Sequence, residues 1–316
     1  MSLSDSVCLA SLPSVAPLGE RSPVLAYAIA GKPLYRHLLE RMAERVAGPL
    51  RITVTDPMLA ARPDILTDAA SFGRVTTSLS DRSTARFPLA GGSDTELTYV
   101  WHLHDVVADI LGAIVPGVAA GATVERDVQI DGNVRVEAGA KVLGGARLKG
   151  NVYVGPGALV GNGALVRGNT NVGQRAMIGF SAEIKSSILL DRVVVGPSSA
   201  VPDCVLEDDT FLGGLVRISN TEFGFEPVSV KIGERLVSSG RKCLGASVAA
   251  GARIAGGVRI APGRSVGQYS EVGAGVVVIR NVPAFTRVRL DQHLAVEPIS
   301  RNELSRTGAA TPATPE

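Results

Sequence analysis

Cut into sixes, residues 118–195 read VAAGAT, VERDVQ, IDGNVR, VEAGAK, VLGGAR, LKGNVY, VGPGAL, VGNGAL, VRGNTN, VGQRAM, IGFSAE, IKSSIL, LDRVVV. All thirteen blocks, from Val118 to Leu190, open on Val, Ile or Leu. The second position is often Gly, Glu or Ala, and the fifth is usually Ala or Val. A period of six suits neither an amphipathic helix nor a plainly alternating strand. It predicts a solenoid with three flat faces, each block supplying a short strand and a corner. The opening aliphatic residue points inward, the small fifth residue packs beside it, and Gly turns the corners at no Cβ cost. Stacked coils then bury aliphatic ladders along the axis, each coil resting on its neighbours.

Working outward, the frame slips after Leu190, where the next expected position is Gly196. It resumes at Val195 and Val201 and shifts again to Leu206, Leu212 and Ile218. A non-repeating stretch runs from Ser219 to Leu244, and the period returns at Val248, Ile254, Ile260, Val266, Val272 and Val278. Such an excursion is a loop on one face, expected either to carry binding or to staple neighbouring subunits. Residues 1–100 lack the repeat. Within them Pro33–Ala47 reads as an amphipathic helix with Leu34, His37, Leu38, Met42 and Val46 near one stripe, and Arg51–Thr55 as a strand. Tyr99–Ile114 reads as a helix delivering the chain to the solenoid, ended by Pro116. The expected organisation is a small α/β domain at 1–100, a linker helix at 101–115, a solenoid at 116–290 with an inserted loop at 219–244, and a disordered polar tail at 291–316.

Composition narrows the function classes. The chain has 316 residues, 45% hydrophobic and 20% charged, with a formal net charge of +2. That length can bury a sizeable core. The near-neutral balance gives no bulk electrostatic reason to bind nucleic acid or a membrane surface. No apolar run is long enough to span a bilayer, and MSLSDSVCLASLP at the start lacks a basic region of the secretory kind. Three separated cysteines, Cys8, Cys204 and Cys243, form neither a disulfide framework nor a metal cluster and suit a reducing, cytoplasmic compartment. Aromatic residues are only 4%, which fits a core of small aliphatic side chains. Richness in Arg, Ala and Gly points to a GC-rich, bacterial genome.

The hexapeptide solenoid, with EIKSS at 183–187, SSGRKCLGA at 238–246 and VVVIRNVPAFTRV at 276–288, resembles the C-terminal half of sugar-1-phosphate nucleotidyltransferases. The similarity is greatest to bifunctional enzymes of the glucosamine-1-phosphate N-acetyltransferase / N-acetylglucosamine-1-phosphate uridyltransferase type, over about 116–290. The resemblance implies a left-handed parallel β-helix, a homotrimer, and clefts between neighbouring helices that take acetyl-coenzyme A and a sugar phosphate. A fainter likeness, VLAYAIAGKPLYRHLLERM followed by RITVT, places residues 1–100 beside a shortened nucleotidyltransferase domain. No Gly-rich triphosphate loop or metal-binding acid is evident there, so nucleotidyltransferase activity is expected to be lost. No metal is expected.

Carried over residue by residue, the resemblance puts the phosphate-gripping Arg on Arg167, a Lys on Lys185, a Glu on Glu183 and the loop Asn on Asn220. Arg and Lys suit that role, as a fork and a point charge for a phosphate dianion. Where the family places the histidine that takes a proton from the attacking amine, this chain has Pro197. The four histidines, His37, His102, His104 and His293, all lie outside the repeat. His102 and His104 are expected at the surface or between domains. Glu183 or Asp203 is left as a substitute base, with Asp203 reading more readily as a corner turn residue. The coenzyme A positions fall on Gly256, Ala274 and Arg280, with Arg264, Arg241 and Lys242 nearby. Acyl transfer from coenzyme A to an amine or hydroxyl of a sugar phosphate, nucleotide sugar or specialised metabolite is the expected activity. The alternatives are a catalytically inactive trimeric scaffold or sugar-nucleotide sensor, motivated by Pro197, and a remodelled inter-subunit site of another reaction class.

Overall fold

Three short strands and three corners make one coil, and each coil hydrogen-bonds in parallel to the next. The computed structural model describes residues 6–9, 24–46, 48–54, 57–77, 86–89 and 94–298. Three ladders run the length of the solenoid. The first aligns Lys149, Arg167, Lys185 and Pro202, and the second Arg135, Tyr153, Asn171, Ile188, Val205, Ser247 and Ser265. The third is a nine-stranded sheet from Thr123–Val124 to Arg287–Val288. Side chains that start the blocks, among them Val142, Val160, Ile178, Ile184 and Leu212, are wholly buried or nearly so. The axial core they form contains no aromatic residue. The expected parallel β-helix of hexapeptide coils is therefore present.

The frame slip falls one block earlier than the sequence suggests. Val172 pairs with Leu189, seventeen residues on, so Leu189 and not Leu190 enters the axial core. The corner at Ser186, held at φ 45°, is one residue shorter. Ser187 closes it, its hydroxyl donating to Val201 O at 2.8 Å and accepting from Cys204 N–H at 3.0 Å. Leu190 packs instead in a second cluster shared with the N-terminal domain.

After Ile218 the chain leaves the solenoid, and Leu206 pairs directly with Val248. The excursion holds an antiparallel hairpin, Ser229–Ile232 with Arg235–Ser238, turning at Gly233. Val228 and Val230 are buried in the same cluster as Leu103, Val106 and Ile188. The arm thus docks on its own chain, while Phe223 and Phe225 are exposed.

Among the described N-terminal residues, three parallel strands stack in the order Ser6–Leu9, Leu50–Val54, Gly73–Thr77. The amphipathic helix is Leu34–Arg45, burying Leu34, Tyr35, Leu38 and Leu39. Ala47, Thr55 and the tail beyond 298 lie outside the described residues. The linker is shorter than the pattern implies: Val100–His102 is a tight 3-10 turn, and the α-helix spans Leu103–Gly112. That helix lies across the strands Arg147–Val154 and Leu165–Val172. Tyr27 donates its hydroxyl hydrogen to Glu207, and Ala30 N–H donates to Asn171 Oδ1 at 2.9 Å, tying the domain to the second face. Among the described residues no helix is long and apolar enough to cross a membrane.

Candidate functional site

One corner of the prism repeats the left-handed backbone at Gly132, Gly150, Gly168, Ser186 and Asp203. At Gly168, held at φ 75°, a Cβ would lie 2.3 Å from Ser186 Oγ, which would have to turn away. Asp203 occupies the same position at φ 51°, which Asp tolerates better than most residues. The backbone locks the stack: Ser186 N–H donates to Arg167 O at 2.9 Å, and Asp203 N–H to Lys185 O at 2.7 Å. Arg167 and Lys185 therefore sit one coil apart, roughly 4.8 Å along the axis.

Four of the named side chains close two ion pairs on this corner. Arg167 reaches Glu183 Oε1 through Nε at 2.9 Å and Nη2 at 2.7 Å. Lys185 Nζ donates to Asp203 Oδ2 at 3.2 Å. The rejoining arm adds Asn220, whose Nδ2 donates to the same oxygen at 2.6 Å. Asp203 is thus a corner residue that also accepts from Lys185 and Asn220. About four-tenths of each partner in the Arg167–Glu183 pair is exposed, so its net worth to stability is well under ~1 kcal/mol. An open pair of that kind can exchange its carboxylate for a phosphate.

A histidine stands directly behind this cluster. His104, on the linker helix, is 7% exposed, and its Nε2 has no hydrogen-bond partner among the described residues. Burial, then the nearby Arg241 charge, pushes its pKa down to about 4, against opposing contributions from Asp203, Asp105 and the Ser186 carbonyl. The ring is neutral at pH 7. The sequence places His104 outside any motif, yet His104, Val107 and Leu111 recur at helical spacing on the buried face, the signal that marks it. His102 instead caps the helix start, where its Nδ1 accepts from Thr98 N–H at 3.1 Å. His293 is almost fully exposed, and His37 faces Ile29 O at 2.9 Å.

The opposite edge of the first face carries a second column. Ser198 N–H donates to Phe180 O, Leu215 N–H to Pro197 O, Gly257 N–H to Gly214 O and Gly275 N–H to Gly256 O. Phe180, Pro197, Gly214, Gly256 and Ala274 are thus successive rungs. Phe180 and Leu215 are exposed beside Pro197, so an apolar ridge stands where the family places its proton acceptor. Above it Gly214, Gly256 and Ala274 leave the corner smooth. Within one chain this column and the Arg167–Lys185 column lie on different edges.

Residues 246–290 hold six arginines, Arg253, Arg259, Arg264, Arg280, Arg287 and Arg289, against one acid, Glu271. Three of them, with Phe211 and Glu271, line a hollow of about 450 Å³ on the third face. Arg253 lies over the Phe211 ring, and Arg287 pairs with Glu271. The other predicted cations differ in freedom. Arg280 and Lys242 are exposed. Arg241 is committed to Asp105 at 2.8 Å, and Arg264 Nε is buried without a hydrogen-bond partner among the described residues. Cys204 is buried and its thiol pKa is raised by burial, which makes it inert, as a core residue should be. Among the described residues no group of three or more His, Cys, Asp or Glu is arranged to hold a metal ion.

Known proteins share parts of this architecture. The family described as GMPPB C-terminal domain matches residues 148–247. An uncharacterized acetyltransferase, YaiX, of Escherichia coli O6:K15:H31 is 28% identical over 106 residues, covering 34% of this chain and 46% of YaiX. A bifunctional sugar-1-phosphate nucleotidylyltransferase/acetyltransferase of Sulfurisphaera tokodaii is 32% identical over 102 residues, covering 32% of this chain and 25% of that protein. The chain thus spans less than half the length of these curated relatives. PerB from Caulobacter crescentus, solved with CoA and GDP-perosamine, is 16% identical and covers 89% of this chain and 92% of its own, with a TM-score of 0.17. Both reported relatives by sequence carry acetyltransferase names, and over about a third of the chain the solenoid is similar to a bifunctional enzyme of the kind that the motifs resemble.

Proposed function

We propose that the protein transfers an acyl group, acetyl above all, from coenzyme A to an amine or hydroxyl of a sugar phosphate, nucleotide sugar or related metabolite. The observation that carries this reading is the pair of corner columns: Arg167 and Lys185 on one edge, and the smooth Gly214–Gly256–Ala274 run on the other. A phosphate of the acceptor replaces Glu183 and Asp203 as partner of the two cations, and Asn220 holds Asp203 in place. The pantetheine arm lies against the small residues, and the exposed Arg280, which stands on the Asp203–Asn220 edge, meets the phosphates of coenzyme A from the neighbouring copy. The two edges meet when a second copy turns its corner inward, so the active unit is a homotrimer. The exposed Met177, Phe180, Phe211 and Leu215 give that seam an apolar lining.

In the step itself the acceptor lone pair attacks the thioester carbonyl carbon, the C–N or C–O bond forms, and the C–S bond breaks. The acceptor proton passes to a base, and the departing thiolate takes up a proton. Pro197 supplies no base. Asp203 and Glu183, released from the two cations by the acceptor phosphate, are the groups assigned to it. Carboxylates are weak bases, and a positioned base supplies ~10²–10⁴-fold. An acceptor amine that is already neutral needs less, and positioning against the thioester does the rest. A cytoplasmic location fits the free Cys204 and Cys243.

Pro197 favours a second reading, a trimeric sugar-nucleotide sensor without turnover. Isothermal titration with coenzyme A and acetyl-coenzyme A, followed by a free-thiol assay with hexosamine phosphates and nucleotide-linked amino sugars, separates the two. Coenzyme A binding with thiol release supports transfer. A sugar-nucleotide-induced rise in melting temperature without thiol release supports the sensor. No binding of either coenzyme by the assembled protein overturns the transferase assignment.

A further inference from the structure

A cavity of about 840 Å³ separates the N-terminal domain from the first coils of the solenoid, on the second face and apart from the Arg167–Lys185 corner. Tyr153 forms its floor. That side chain is 4% exposed, yet its hydroxyl makes no hydrogen bond with any described residue. Its oxygen opens into the cavity, where an occupant can reach it. The neighbouring backbone is shaped around it: a Cβ on Gly31, at φ 76°, would lie 2.6 Å from the Tyr153 oxygen. Burial, then the Glu137 charge, raises the phenol pKa to about 12, so it keeps its proton and is a donor at neutral pH.

The walls are charged but balanced. Arg135 grips Glu137 through Nε at 3.0 Å and Nη2 at 3.2 Å. Lys32 Nζ holds Glu40 at 2.7 Å, and Arg41 pairs with Asp109. Arg45 Nη2 donates to Leu89 O at 2.7 Å. The Glu44 carboxylate, also on the wall, has no ion-pair partner among the described residues. Leu89, Ile114 and Val115 add an apolar shelf to the lining. The Arg41–Asp109 and Arg135–Glu137 pairs are more enclosed than Arg167–Glu183, so a phosphate dianion entering here would have to break two more tightly held carboxylate pairs. An uncharged polyol meets no such barrier, because each hydroxyl both donates and accepts. The paired carboxylates, the free Glu44 and the Tyr153 hydroxyl offer it both roles, and the shelf takes the C–H face of a sugar ring.

We propose that this cleft between the two domains is a binding site for a neutral carbohydrate, a hexose or a short oligosaccharide. Domain junctions commonly hold such pockets, and this volume lies within their usual range. The site is separate from the acyl-transfer reading, and its test does not use coenzyme A.

The test is saturation-transfer NMR and titration calorimetry on the full chain. The probes are glucose, galactose, mannose, N-acetylglucosamine and maltose, beside glucose-1-phosphate and glucosamine-1-phosphate. The expected result is saturation of at least one neutral sugar, with affinity lowered about tenfold in Tyr153→Phe, the worth of one hydrogen bond. Glu44→Gln, on the exposed rim, lowers it further, and both variants melt within a few degrees of the parent. Arg167→Ala leaves neutral-sugar binding unchanged. Failure of every neutral sugar to bind overturns the proposal. So does tighter binding of the phosphates that survives Arg167→Ala, or neutral-sugar binding that Tyr153→Phe does not weaken. Should Tyr153→Phe unfold the chain, Glu44→Gln alone decides: unchanged neutral-sugar affinity rejects the site.

Discussion

Acidification should weaken this protein through His104. The ring is buried between the linker helix and the Ser186 corner, and its pKa falls from the ordinary 6.5 to about 4. A proton therefore binds the unfolded chain more tightly than the folded one. The stability that neutral His104 supports is complete above pH 6.5 and is lost as the pH falls towards 4. Each pH unit in that window is worth 1.36 kcal/mol. The loss is about 2 kcal/mol by pH 5 and about 3 kcal/mol near pH 4. The comparison is urea unfolding at pH 8, 7, 6 and 5 for the parent and for His104→Met, which removes the titrating ring at similar volume. His37, also held below its ordinary value by burial, acts in the same direction in both proteins and cancels in the difference. The parent should lose about 2 kcal/mol more than the variant between pH 8 and pH 5. Parallel curves, agreeing within about 0.5 kcal/mol, would refute a buried neutral imidazole at this position.

Other perturbations test the remaining structure. Ile184→Ala empties a wholly buried rung of the axial core and should cost about 2–5 kcal/mol in urea unfolding, with no change in the Arg167–Glu183 pair. Arg167→Ala and Lys185→Ala each remove a charge-assisted contact to the acceptor phosphate. Each should weaken sugar-phosphate binding about 10–100-fold by calorimetry while coenzyme A affinity holds. Ala274→Trp fills the smooth corner and should abolish coenzyme A binding without lowering the melting temperature by more than a few degrees. Sedimentation velocity should give three times the 32.7 kDa chain mass, and a monomer at micromolar concentration would remove the seam on which the two-column site depends.

A covalent order of residues can dictate periodic structure and little else at a distance, and that divides what was legible here. Aliphatic residues at every sixth position determine the solenoid, because the backbone can bury that pattern only by turning three corners per coil. The same period determines that Arg167 and Lys185 are neighbours, since coils of this length align them. It misplaces the slip by one block, however: Leu189 and Leu190 are both aliphatic, and only the Ser187 hydrogen bonds select which one faces inward. His104 joins the Asp203 corner through the docking of a helix some hundred residues away in sequence, a non-local contact that no spacing encodes. Tyr153 likewise reads as an ordinary strand residue until Gly31 of the other domain comes to rest against it. The repeat wrote the scaffold; packing between domains decided which polar groups lie buried, unpaired and ready to act.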